Sequence, residues 1–128
     1  MKVKRLPAWN ERRRAIARHY TAALAGLPLG LPVERPPAQH IYHQYTVRSA
    51  KREALAAALT ALGIGTSIHY PSTIPAQPLF SQPNADRDFP VATQAAAEVL
   101  SLPCFPELTD GELDQVAQAV RRAVGEVM

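Results

Sequence analysis

Cysteine is nearly missing from this chain. Among its 128 residues Cys104 stands alone, so no disulfide can staple the fold and no cysteine-based metal site can be assembled. In Leu102-Pro103-Cys104-Phe105-Pro106 it reads as a small loop residue. Long apolar runs are missing too. No stretch approaches the roughly 20 apolar residues of a membrane span, and no signal-like apolar segment with a cleavage site follows Met1, which predicts a soluble, cytoplasmic protein. Aromatic residues make up only 6% of the chain and are nowhere interleaved with basic ones, so a base-stacking surface for nucleic acid is not expected. Lysine is scarce as well. Lys2, Lys4 and Lys51 each lie among other charges at a chain end or a helix start, which argues against a desolvated lysine nucleophile.

What is present is proline and an uneven distribution of positive charge. Lys2, Lys4, Arg5, Arg12, Arg13, Arg14 and Arg18 crowd the first segment against only Glu11, and the remainder is mildly acidic although the net charge is +3. A basic arm suits nucleic acid or an acidic lipid surface, since both release counterions to Lys and Arg. Here the basic residues share a helix with Trp9, Ile16, Tyr20 and Leu24, and no DNA- or RNA-binding module accompanies them. They are expected to form a solvated face, or one turned toward a partner domain.

The length predicts a single domain spanning residues 1–128, with one modest core. Apolar spacings near three, four and seven predict a first helix from Pro7 to Ala25, and Gly26 to Gln39, with four prolines, reads as an extended loop. His40 to Arg48 alternates β-branched and aromatic residues and predicts a strand. Ser49 can cap a second helix carrying Leu55, Ala58, Leu59 and Leu62, with Gly63 ending it in a left-handed cap. Gly65 to Tyr70 reads as a second strand. Pro71 to Pro83 is a long proline-rich loop, with room for one helical turn near Gln77 to Phe80, and its length favours a functional role. Asp88 can cap a helix over Pro90 to Glu98, and Val99 to Leu102 suits a third strand before Pro103. Thr109 and Glu112 make a capping box for the last helix. Leu108 and Leu113 can staple it, and Leu113, Val116, Ala117, Val120 and Val124 form its buried stripe. Together these elements predict an α/β two-layer sandwich, a short three-stranded sheet covered by about four helices.

Few side chains suggest chemistry unaided. His40 and His43, three apart on an expected strand, would point to opposite faces and could not share a metal ion. His19 reads as a surface residue. Gly63-Ile64-Gly65-Thr66-Ser67-Ile68 runs helix to strand, the reverse of a dinucleotide loop, and Ser67, Ser72 and Ser101 lack the setting of a catalytic triad. His69 differs, because it ends a strand at the mouth of the proline-rich loop, where binding groups are often placed.

Five segments in order and register carry a resemblance. They are Trp9-Asn10-Glu11-Arg12-Arg13-Arg14, His40-Ile41-Tyr42-His43-Gln44-Tyr45, Gly63-Ile64-Gly65-Thr66-Ser67-Ile68-His69-Tyr70-Pro71, Phe89-Pro90-Val91-Ala92, and Leu100-Ser101-Leu102-Pro103 through Pro106-Glu107-Leu108-Thr109-Asp110. From Leu6 to about Val124 the chain resembles the C-terminal small domain of the DegT/DnrJ/StrS-type sugar aminotransferases, fold-type-I enzymes dependent on pyridoxal phosphate. The resemblance implies a part of an enzyme that aminates keto sugars bound to a nucleotide. It also implies that the large domain carrying pyridoxal phosphate and the catalytic lysine is not within these residues, so that no cofactor is expected on this chain alone. His69, Tyr70 and Gln77 match the family's substrate-facing loop and become the candidate substrate-binding residues. Where the family commonly has a second histidine this sequence has Pro75, which can neither donate a hydrogen bond nor exchange a proton. The expected partners are the large domain or a second subunit and a sugar nucleotide. Self-association is expected through Trp9, Ile16 and Tyr20 of the first helix. The other reading is a non-catalytic interaction or regulatory module.

Overall fold

The computed structural model describes residues 2–80 and 85–128, without the side chains of Lys2, Ala85 and Asp86. A 3-10 turn, Lys2–Arg5, leads into α1, Leu6–Ala23; β1 is Tyr45–Arg48 and α2 is Arg52–Ala61. A second 3-10 turn, Ile74–Ala76, precedes the short α3, Ala85–Asp88, then α4, Pro90–Glu98, β2, Val99–Leu102, and α5, Asp110–Val127.

The core is built where the apolar stripes meet. Ile16, Tyr20 and Leu24 from α1 and its C-terminal end, Tyr45 and Val47 from β1, Leu55 and Leu59 from α2, Leu100 from β2 and Val120 from α5 are all buried in one cluster. Helices α2 and α5 lie along one another, with α1 against α5, α2 against β2 and α4 against β1. The expected α5 stripe is buried as read, with Ala123 added. Its N-terminus carries the full capping box: Glu112 N–H donates to Thr109 Oγ1 at 3.3 Å and Thr109 N–H to Glu112 Oε2 at 2.8 Å. The staple partners Leu108 and Leu113 are both buried.

The sheet is smaller than the sequence suggests. Among the described residues it has two strands, paired antiparallel as Tyr45↔Leu102, Thr46↔Ser101, Val47↔Leu100 and Arg48↔Val99. The expected strand from His40 begins only at Tyr45, for two reasons. Gln44 would face Pro103, which has no N–H to offer a ladder, and Tyr42 holds a left-handed φ of 49° that breaks extension. The expected third strand, Gly65 to Tyr70, is reduced to a single bridge in which Ser101 N–H donates to Ser67 O at 2.7 Å and Ser67 N–H to Ser101 O at 3.2 Å. Continuing that register would set Gly65 opposite the same Pro103, so one proline ends both ladders. Gly30 makes a second isolated bridge, to Arg48; a Cβ there would lie 3.1 Å from Arg48 Cβ, which is why glycine stands at this crossing.

Two helix starts also differ. Lys51 is the residue preceding α2, not Ser49, whose hydroxyl instead accepts from Lys51 N–H at 3.1 Å in a local turn. Phe89, not Asp88, precedes α4, and it brings no side-chain cap. At the other end of α2 the expected left-handed cap is present, with Gly63 at φ 78° and Ile64 N–H donating to Leu59 O at 2.9 Å. Beyond the 3-10 turn, Phe80 N–H donates to Gln77 O, which is the turn expected there; Pro83 lies outside the described residues.

The basic first segment is solvated in part: Lys4, Arg5 and Arg18 are exposed, whereas Arg12, Arg13 and Arg14 are partly buried. Consecutive residues on a helix point about 100° apart, so Arg12, Arg13 and Arg14 reach different points of two irregular segments, one before β1 and one between β2 and α5. Arg12 donates to Leu108 O and pairs with Asp110 at 2.9 Å. Arg13 donates to His43 O at 3.1 Å and to Cys104 O, and Arg14 to His40 O at 2.7 Å and Glu34 Oε1 at 2.8 Å. The Arg14 guanidinium, together with the His40 N–H, holds the Glu34 carboxyl below the usual carboxylate range. These arginines tie α1 to the irregular segments. His19, half-exposed, pairs with Asp114 at 3.1 Å and links α1 to α5. Of the three residues through which self-association is expected, Ile16 and Tyr20 are fully buried inside this chain and Trp9 is partly exposed.

Candidate functional site

The bridge between Ser67 and Ser101 carries the chain toward the proline-rich loop, and His69 follows two residues later on the same face. An open groove of about 480 Å³ lies there, walled by His69, Tyr70, Ser72, Thr73, Ile74 and Pro75 on one side and by Phe89, Ala92, Ala95, Ala96 and Val99 on the other. Alanine at three successive facing positions of α4 leaves the space that larger side chains would fill. Pro71 precedes the 3-10 turn, and Pro75 sits within it, where a proline is tolerated near a helix start; Ile74 and Pro75 of that turn line the groove. The groove is thus walled mostly by apolar groups with a few polar ones at one edge, the composition of a small-molecule site.

His69 is half-buried, and its Nδ1 lies 3.1 Å from Ser101 Oγ, which in turn lies 3.0 Å from Thr46 Oγ1. Tyr70 is exposed, with its ring edge-on to the His69 imidazole at 5.6 Å. Among the described residues the Thr73 hydroxyl is buried without a hydrogen-bond partner, an arrangement that costs roughly 1 to 3 kcal/mol. A ligand in the groove would meet the His69 ring and the Tyr70 phenol, which can exchange hydrogen bonds with an oxygen-rich molecule.

Of the three residues expected to bind substrate, the structure brings two together. His69 and Tyr70 line the groove, whereas Gln77 is exposed beyond the 3-10 turn and does not. Pro75, which stands where the resemblance would place a second histidine, is part of the wall. Sequence reading missed Thr73, Thr46 and Ser101. Thr73 carries no signal in sequence, but Ser101 and Thr46 become neighbours as soon as the two strands are paired. His40 and His43 precede the strand they were expected to occupy; His40 Nδ1 accepts from Tyr42 N–H at 2.8 Å, and both side chains are exposed. Among the described residues no group of three metal-binding side chains converges, and no helix is long and apolar enough to cross a membrane. Cys104 is buried, its thiol pushed up by that burial and donating to Tyr42 O at 3.4 Å.

Residues 1–121 match the model of the DegT/DnrJ/EryC1/StrS aminotransferase family. The chain is 38% identical to the dTDP-3-amino-3,4,6-trideoxy-alpha-D-glucose transaminase of Streptomyces venezuelae over 94% of its own length and 32% of that enzyme's. With the UDP-N-acetyl-3-dehydro-alpha-D-glucosamine 3-aminotransferase of Acidithiobacillus ferrooxidans it shares 39% identity, over 93% of this chain and 32% of that one. The crystal structure of S. venezuelae DesV in complex with a ketimine intermediate superposes with a TM-score of 0.93 at 37% identity, covering 99% of this chain and 35% of that one. The chain therefore spans about a third of the length of the relatives it matches.

Proposed function

Because this chain belongs to the DegT/DnrJ/EryC1/StrS aminotransferase family, we propose that it forms the small-domain third of a pyridoxal-phosphate-dependent aminotransferase for keto sugars carried on a nucleotide. Its groove then presents His69 and Tyr70 to the substrate. The observation that carries this reading is that the likeness runs through nearly the whole chain and yet accounts for a third of a transaminase. The groove falls in the segment that the sequence marks as substrate-facing.

Pyridoxal phosphate, in the enzymes that use it, supplies the carbonyl and the electron sink for moving an amino group. The residues described here do not fit its anchorage. Lys51 donates its ammonium to Val127 O at 2.8 Å beside the end of α5, Lys4 is exposed, and neither borders the groove. The work assigned to this chain is therefore binding. His69 and Tyr70 exchange hydrogen bonds with sugar or phosphate oxygens. The apolar wall of Phe89, Ala92 and Ala95 excludes water from one face. Pro75 leaves that part of the wall without a donor, so recognition there depends on shape.

The test is complementation. Co-expression with the remaining two-thirds of a related transaminase should yield a complex that consumes a keto-sugar nucleotide and an amino donor. His69→Ala or Tyr70→Ala should lower kcat/KM roughly two- to tenfold while leaving the melting temperature in place, the loss expected for one hydrogen bond. A complex that forms but never turns over, with every acceptor sugar tried, would favour an interaction module instead.

A further inference from the structure

Ser101 is held from both sides. On one side it is the ladder partner of Thr46, and on the other its backbone exchanges two hydrogen bonds with Ser67. Its side chain, 6% exposed, is thereby fixed between Thr46 Oγ1 at 3.0 Å and His69 Nδ1 at 3.1 Å. His69, two residues beyond Ser67, is the diagonal neighbour that such a pairing brings within reach. The result is a chain of three polar groups running from inside the sheet to the edge of the groove. Among the described residues Nδ1 is the imidazole nitrogen with a protein partner, and His69 lines the groove.

A row of hydroxyl, hydroxyl and imidazole can be polarised in two directions. Either Thr46 donates to Ser101 and Ser101 to Nδ1, or the ring donates back along the row. The imidazole nitrogen is a far stronger base than a hydroxyl oxygen, so the first direction places the better acceptor at the end of the row. We propose that Ser101, backed by Thr46, is a positioning residue that keeps neutral His69 as its Nε2–H tautomer, aiming one N–H donor into the groove at an oxygen of the bound sugar nucleotide. This rests on the reading of the groove as the sugar-nucleotide site. It gives Ser101 a role without making it a nucleophile, and it explains why a hydroxyl is retained at a buried strand position between Leu100 and Leu102.

The test uses this chain with no ligand, labelled with 15N-histidine and observed through long-range couplings of the imidazole nitrogens. The pH should be about two units above the ordinary histidine value so that the rings are neutral. His40 provides an internal reference for the same tautomer, because a backbone N–H can only donate to its Nδ1. Wild-type His69 should give the Nε2–H pattern. Ser101→Ala should lower the ratio of Nε2–H to Nδ1–H roughly fivefold, as loss of one net hydrogen bond implies, and Thr46→Val roughly twofold. Ser101→Thr should restore it. A wild-type His69 found as Nδ1–H, or an unchanged ratio in folded Ser101→Ala, overturns the proposal; if that variant does not fold, an unchanged ratio in Thr46→Val does so. Failure here leaves the site reading standing. Conversely, complemented turnover indifferent to His69→Ala removes the site reading and leaves the tautomer result in place.

Discussion

Arg12, Arg13 and Arg14 show how far a residue's role depends on what it reaches. In sequence they are a charge run; in the structure each guanidinium caps backbone carbonyls of a loop that has no ladder of its own. Arg13→Ala should therefore lower the unfolding free energy by about 2 kcal/mol, the range for charged hydrogen bonds to carbonyls, and Arg18→Ala should stay within about 0.5 kcal/mol. Urea titration of the two variants checks both. Burial also pushes up the phenols of Tyr20 and Tyr45 and the thiol of Cys104. The folded chain thus holds these protons more tightly than the unfolded one. The stabilisation is intact below the unfolded values, about 8.5 for a thiol and about 10 for a phenol, and is lost as the pH rises beyond them. Tyr20→Phe should make that alkaline loss shallower. At neutral pH it should cost about 1 kcal/mol for the hydrogen bond to Pro103 O, and unfolding measured at neutral pH and above the phenol range separates the two effects.

Helix ends are the elements whose sequence signals translate most directly into energy. Thr109→Ala removes the acceptor for Glu112 N–H and should destabilise the chain by about 1 kcal/mol. Hydrogen bonds from Thr109, side chain and backbone, hold the Glu112 carboxyl below its ordinary range. The stabilisation linked to it is present above about pH 4.3 and lost as the pH falls through the folded value, so Thr109→Ala should also flatten the acid side of the stability profile. Gly63→Ala tests the other kind of end. A Cβ there meets nothing within 4 Å, so the expected loss of roughly 1 to 2 kcal/mol is backbone strain at φ 78° alone, and a thermal melt measures it. The strands behave differently, because Val99 to Leu102 is a strand only as far as Pro103 allows its neighbours to pair.

Among the described residues exposed apolar surface lies at Val3 and Leu6, at the start of α1, and also at a second place. Tyr70 is 73% exposed, Ile74 68% and Val91 78%, and Phe89 joins them along the groove and the start of α4. A monomer seldom leaves such a patch uncovered without use for it. Val91→Asp should reduce binding of an apolar fluorescent dye while changing stability by no more than about 0.5 kcal/mol, whereas Ile16→Asp should abolish folding. If Val91→Asp left dye binding unchanged, the patch would not be the surface that the dye reports.

The sequence by itself determined the four longer helices, the Thr109 and Gly63 ends and the family, because periodicity, Thr-x-x-Glu and glycine punctuation act over a few residues and need no partner; Ser49 and Asp88 carried the same kind of signal and do not cap. It also placed His69 at a loop mouth and Pro75 in the loop. Tertiary structure decided the extent of the sheet, since a strand exists only where a second chain segment offers donors, and Pro103 withdraws them from two neighbours at once. It decided that Gln77 stays outside the groove, that Ile16 and Tyr20 are buried, and that Ser101 meets His69 from 32 residues away. Those outcomes depend on contacts between segments distant in sequence, which no local pattern encodes.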